Sequence, residues 1–98
     1  MNRDLIVEPE AEAEIDEASR WYDAQSPGLG AEFLRAVEAA LGTIARNPLQ
    51  YQIIYGEARR AGVRRFPHGL MYVVSDREII VLACFHGRRN PRRWQERT

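Results

Sequence analysis

Apolar and polar positions change period several times along the chain, and each change marks an element. Residues 4–7 (DLIV) are short and partly apolar and predict a first strand. Pro9 follows, a residue suited to the first turn of a helix, where its missing N–H costs nothing. Ala11, Ile15, Ala18 and Tyr22 then recur at helical spacing, flanked by Trp21, and predict a helix over 9–25. Ser26-Pro27-Gly28 breaks the chain. Phe33, Val37, Ala40, Leu41 and Ile44, with Leu34 alongside, make the apolar face of a second helix over 29–46, which Asn47-Pro48 ends. Two helices of similar length joined by three residues predict an antiparallel helical hairpin.

The second half changes to strand-like runs. Residues 51–57 read as a connecting stretch, partly extended, and strands are expected over 58–66, 70–75 and 78–85. Pro67-His68-Gly69 and Asp76-Arg77 supply the turns between them. The run IIVLACF is apolar on both faces, as a central strand is. Asn90-Pro91 opens a short C-terminal turn or helix carrying Arg92, Arg93 and Trp94. The expected fold is α+β: an N-terminal strand, a helical hairpin, then a three-stranded antiparallel meander that forms one sheet with the first strand. That first strand would be unstable unpaired. The 98 residues predict one domain over 1–98.

Composition changes this picture mainly through charge. The formal net charge is zero, yet residues 1–25 hold eight acids against two bases, and residues from 51 onward hold ten bases against four acids. Such segregation points to a partner that is anionic on at least one face. Every one of the 14 basic residues is arginine. The planar guanidinium suits phosphate and carboxylate, although a base-composition bias in the source genome would give the same count. Glu10, Glu12, Glu14 and Asp16 crowd the positive end of the first helix and read as a well-started, solvated helix rather than a metal site. Cys84 is the single cysteine, set in an apolar run, and reads as a buried inert thiol. No Cys/His spacing suits zinc, and no metal or cofactor is expected. No apolar run approaches the roughly 20 residues of a membrane span. MNRDLIVEPE lacks the charged-then-apolar order of a signal peptide, so the expected location is the cytoplasm.

Four phrases, in order, cover nearly the whole chain: EAEIDEASRWYDAQSPGLGAEFLRAVEAAL, RNPLQY, VRRFPHGLMYVV and IIVLACFHGRRNPRRW. Together they resemble the RelE/ParE superfamily of toxins from type II toxin–antitoxin systems, closer to the ParE-like members often called plasmid-stabilisation proteins. The resemblance implies a growth-inhibiting toxin silenced by a cognate antitoxin in a hetero-oligomeric complex. It leaves the target open, since some relatives cut messenger RNA in the ribosome and others inhibit DNA gyrase without being nucleases. A relative that has lost toxicity and only binds its partner is a third possibility.

Metal-independent RNA cleavage needs a base for the 2′-hydroxyl, charge stabilisation at the phosphorane, and an acid for the leaving oxygen. The RNA-cutting relatives place an arginine at the start of the strand reading RLVY. The matching stretch here is Gly69-Leu70-Met71-Tyr72, so that arginine is replaced by a glycine. Arg88 matches a second arginine of the pattern and His86 a histidine, whereas Trp94 stands where a tyrosine would act, and indole neither accepts nor readily loses a proton. Arg64 or Arg65 could substitute for the first arginine from the neighbouring strand. The candidate catalytic set is therefore His86, Arg88 and Arg65, if the chain is a ribonuclease at all. Gyrase-directed relatives also lack the first arginine and carry a leucine–histidine before their tail, to which Phe85-His86 is similar. Arg64, Arg65, Arg88, Arg89, Arg92, Arg93 and Trp94 form the candidate surface for target or antitoxin, since arginine beside an aromatic binds nucleic acid or an acidic peptide. His68 is expected in a turn with a structural role, and Arg59 and Arg60 at a sheet edge. Trp21 and Tyr22 are expected as core or antitoxin-contact residues. The favoured function is a ParE-type inhibitor of gyrase or another cellular target, with a poor ribonuclease activity; the alternative is a RelE-type, ribosome-dependent endoribonuclease.

Overall fold

The computed structural model describes residues 3–87. The expected C-terminal turn or helix, with Arg88, Arg89, Arg92, Arg93 and Trp94, lies outside the described residues. The elements are β1 (Asp4–Val7), α1 (Pro9–Gln25), α2 (Leu29–Arg46), β2 (Ile53–Tyr55), β3 (Ala58–Gly62), β4 (His68–Val74) and β5 (Glu78–His86). The two helices and the first strand have the expected bounds.

Local chemistry explains the hairpin. Pro9 occupies the first turn of α1, and Glu10 and Glu12 lie in that same turn, where the helix dipole favours them. Gly28 takes a left-handed φ of 91°, which glycine adopts without strain, and serves as N-cap of α2. Having no side chain, it cannot cap α2 itself. Asp23, at the end of α1, does so instead: its Oδ1 accepts from the N–H of Gly28 at 3.0 Å and of Gly30 at 3.1 Å. Gly30 is buried, and a Cβ there would collide with the Ser19 carbonyl oxygen and lie 3.1 Å from Asp23 Cβ. The two glycines of SPGLG thus do different work, one for the turn and one for close helix approach.

The described strands form a single five-stranded sheet in the order β1-β5-β4-β3-β2. Two features differ from the expected antiparallel four-stranded sheet. First, β1 runs parallel to β5, from Asp4 opposite Glu78 to Val7 opposite Val81. A parallel pair needs a long crossover, and the helical hairpin with β2–β4 provides it. Second, the connecting stretch contributes β2, which pairs antiparallel with β3 and becomes the sheet edge. Arg59 and Arg60 are consequently not at an edge. Arg59 donates through Nη1 to the carbonyls of Leu49 at 3.2 Å and Tyr51 at 2.6 Å, tying down the stretch that leads into β2.

The main core lies between the helices and one sheet face. Ala11 and Ile15 of α1 and Phe33, Val37, Ala40 and Ile44 of α2 meet Ala61, Leu70, Tyr72, Ile79, Val81 and Cys84. Tyr72 is fully buried, and its hydroxyl donates to the Pro48 carbonyl at 2.5 Å. A second cluster, Ala58, Met71, Leu82, Ala83 and Phe85, occupies the other face of the sheet. Within β4–β5, Met71 opposes Ala83 and Tyr72 opposes Val81, so Leu82 is an extra residue in β5. This bulge reverses the alternation of every later side chain in that strand. Val81 faces the helices, Leu82 and Ala83 both face away, Cys84 faces the helices again and Phe85 faces away.

Candidate functional site

Of the site residues named from sequence, the described ones, Arg64, Arg65 and His86, lie at one end of the sheet, where β3 ends, β4 begins and β5 ends. The turn expected at 67–69 is displaced: β3 stops at Gly62, and His68 and Gly69 already belong to β4. His68 is therefore a strand residue, 8% exposed, opposite His86 in the ladder. Its ring packs on Tyr22 and Phe33, with centroids 5.7 and 5.0 Å away, and on His86 at 5.3 Å. The Tyr22 hydroxyl lies 3.4 Å from His68 Nδ1. Burial, reinforced by the His86 imidazole and the Arg60 guanidinium, pushes the His68 pKa down to about 4, so the ring is neutral at pH 7. The expected structural role holds, but in a strand and as part of the aromatic core rather than in a turn.

Around this pair lies an open groove of about 700 Å³ between α1 and the ends of β4 and β5. Trp21, 58% exposed, and Tyr22 form one wall, and His86 the opposite rim. Glu14 reaches across and accepts from the Cys84 N–H at 3.0 Å. Its position past Val81, where pairing with β1 stops, explains why this N–H is available. Burial, then the Glu14 carboxylate, push the Cys84 thiol up to about 12, partly opposed by Arg60, so it is not a nucleophile at neutral pH. The Tyr22 hydroxyl is also raised by burial and by Cys84. Tyr22 thus joins the core and Trp21 stays available to a partner. The described residues contain no group of three or more His, Cys, Asp or Glu side chains able to hold a metal ion. Among those residues, no helix is long and apolar enough to cross a membrane.

The position of the missing arginine is filled differently from expectation. Gly69 pairs across β3–β4 with Gly62, and Arg60 pairs with Met71 on the face away from the helices. A Cβ on Gly69 would lie 2.6 Å from Arg60 Cζ, 2.8 Å from Nη2 and closer still to Nε. The guanidinium of Arg60 therefore lies over Gly69. Arg64 and Arg65 are instead exposed in the turn after β3, with Arg65 at a left-handed φ of 71°. Arg60 is the residue that sequence reasoning missed. Its signal was present: a strand places residues two apart on one face, so Arg60 and Gly62 share a face beside the bare Gly69.

Of the candidate catalytic set, the structure describes His86 and Arg65. His86 stands on the helix side, with His68, because the bulge at Leu82 turned it there. The Arg60 guanidinium is on the opposite side. Arg65 is in the turn, and Arg88 lies outside the described residues.

The model of the family described as the ParE toxin of type II toxin–antitoxin systems, parDE, matches residues 5–91. The chain belongs to this family. No curated protein matches it. This ParE-family chain has the fold of several solved structures. One, a chromosomal ParDE toxin–antitoxin system from P. aeruginosa, superposes with a TM-score of 0.78 at 16% identity, covering 87% of this chain and 96% of that one. The RelBE2 toxin–antitoxin complex from Mycobacterium tuberculosis gives 0.60 at 20% identity, covering 88% and 92%. The YoeB dimer from Staphylococcus aureus gives 0.59 at 17% identity, covering 86% and 95%. At these identities the likeness is one of fold, and it agrees with the α+β architecture predicted from sequence.

Proposed function

We propose that this ParE-family chain is the toxin of a type II toxin–antitoxin module, silenced by a cognate antitoxin, and that it acts in the cytoplasm as an inhibitory binding protein on DNA gyrase or another cellular target. The observation that carries this reading is the sheet standing between His86 and Arg60. Cleavage of a phosphodiester needs its proton carrier and its cation around one phosphorus atom. A histidine on the helix side and a guanidinium on the other side do not meet there. The buried, neutral His68 does not supply the missing partner. Arg88, Arg89, Arg92, Arg93 and Trp94, with Arg64 and Arg65, are then binding residues.

One observation favours the second reading, a ribosome-dependent endoribonuclease. Arg60 brings a guanidinium to the place where the RNA-cutting pattern has its arginine. Two assays separate the readings. Gyrase-driven supercoiling should fail in the presence of the protein, and primer extension on messenger RNA from a translating extract should show no new ends. Arg88→Ala with Arg89→Ala should weaken inhibition more than His86→Ala. Efficient cleavage within the ribosomal A-site codon, abolished by His86→Ala, would overturn the binding-protein reading.

A further inference from the structure

The groove between α1 and the end of β5 is open, acidic and aromatic. Its α1 wall is built from residues three and four apart, Glu14, Glu17, Ala18 and Trp21, which share one helix face. Trp21 is exposed, and its ring stands edge-on to Tyr22, with centroids 5.2 Å apart and planes at 82°, a contact that orients the indole. Glu17 is also exposed and lies one turn before Trp21, so a single cation placed there meets a carboxylate and an indole face together. The opposite side is β5 beyond Val81. Pairing with β1 stops at Val81 while β5 continues to His86, so among the described residues no strand covers Cys84 to His86 on that side. The described lining holds two carboxylates and no arginine. A groove of this kind repels a phosphodiester and attracts a cation.

We propose that this groove seats the chain's own C-terminal segment, residues 88–94, with a guanidinium of the Arg92–Arg93 pair stacked on Trp21 and paired with Glu17. Two observations choose this occupant. The first is where the segment starts. His86 lines the groove, and Gly87 follows it at a left-handed φ of 54°, its N–H donating at 2.5 Å to the carbonyl of Pro67, another groove residue. Residue 88 therefore follows directly from the groove's rim. Asn90-Pro91 is a turn signal that sends Arg92 and Arg93 back towards that rim, and seven residues reach at most about 25 Å even when extended. The second is charge. RRNPRRW carries four arginines and no acid, and arginine is the cation that stacks on an aromatic face while its fork meets a carboxylate. The acids gathered in residues 1–25 and the arginines gathered at the far end are thus complementary within one molecule. Tethering favours this over a second copy, because a short flexible connection gives an effective concentration on the order of millimolar. Seated in this way, the segment withholds its guanidinium groups from an anionic partner until that partner outcompetes the groove. The seat does not depend on the toxin reading.

The test uses the full chain with a nitroxide attached through Thr98→Cys; the Cys84 thiol, buried and pushed up to about 12, does not compete for the label. Nuclear magnetic resonance then reads the paramagnetic broadening of the Trp21 indole N–H. The signal should be broadened in the parent chain, and raising NaCl from about 50 to about 500 mM should relieve it. Glu17→Gln should lower the seated-to-free ratio about 2–5-fold. Arg92→Met with Arg93→Met should lower it about 5–30-fold, since stacking and pairing are both lost. Asp16→Asn, one residue from Glu17 and already paired with Arg20, should leave the broadening unchanged. The spectra themselves show that each variant is folded. No broadening of Trp21 in the parent chain would overturn the proposal, as would broadening indifferent to Glu17→Gln or relieved equally by Asp16→Asn. Broadening of an isotope-labelled chain by a separate nitroxide-labelled chain would overturn it in favour of a second copy. A Trp21 signal untouched by the nitroxide but shifted by a short oligoribonucleotide would overturn it in favour of a nucleobase.

Discussion

His68 makes the stability of this protein depend on pH in a direction and window that the structure defines. The ring is buried against Tyr22, Phe33 and His86, and its pKa is lowered to about 4 from an ordinary value near 6.5. Between those values the unfolded chain binds a proton at this residue and the folded chain does not. Stability from this group is therefore fully present above pH 6.5 and is lost as pH falls towards 4. Linkage gives a loss of about 2 kcal/mol at pH 5 and about 3 kcal/mol near pH 4, relative to neutral pH. Against a typical total of roughly 5–15 kcal/mol that is a large share. The perturbation is His68→Phe, which keeps an aromatic ring between Phe33 and Tyr22 and removes the titrating nitrogen. Urea unfolding at pH 7 and pH 5 should show the wild type losing about 2 kcal/mol more than His68→Phe between the two conditions. Carboxylates remote from the ring are common to both proteins and cancel in the difference. In thermal melts the same difference should appear as a Tm shift of roughly 10 °C. Parallel pH profiles for the two proteins would refute the reasoning, since they would mean His68 titrates alike in the folded and unfolded chains.

Two further substitutions test how the hairpin and the core are held. Gly30→Ala should destabilise the fold by about 1–3 kcal/mol, because its Cβ meets the Ser19 carbonyl oxygen and the helices must part; chemical denaturation at pH 7 reads this directly. Tyr72→Phe should cost about 1–3 kcal/mol by leaving the Pro48 carbonyl without its buried donor, and a stability unchanged in urea would contradict that bond.

Much of the fold was legible in the chain. The spacing from Ala11 to Tyr22 and from Phe33 to Ile44 gave both helices their bounds, because each apolar stripe follows one helical period and each is cut by Pro or Gly. Ser26-Pro27-Gly28 marked the hairpin for the same reason. The ends of β3 and β4 were less legible. Val63 and Phe66 look like strand residues, and Pro67-His68-Gly69 looks like a turn, yet the chain turns at 63–67 and buries His68. Burying His68 among Tyr22 and Phe33 depends on residues far away in the chain, so no local pattern could report it. The short IIY segment gave only a partly extended connection, since its strand state exists through pairing with β3.

What the sequence by itself determined is what depends on near neighbours: two amphipathic helices, their break, the strand runs, the segregation of charge, and the ordered phrases by which the family could be recognised. What only the tertiary structure decided is which side chains share a face. A strand alternates strictly until one extra residue is inserted, and nothing in IIVLACF marks Leu82 as that residue. Because the bulge exists only relative to the register of β4, it is a property of the pair and not of either strand. It turns His86 towards the helices and away from Arg60, and so sets the histidine and that guanidinium on opposite faces of the sheet. In the same way, the bareness of Gly69 was visible in the sequence, but the guanidinium lying over it came from a residue that only sheet pairing brings alongside.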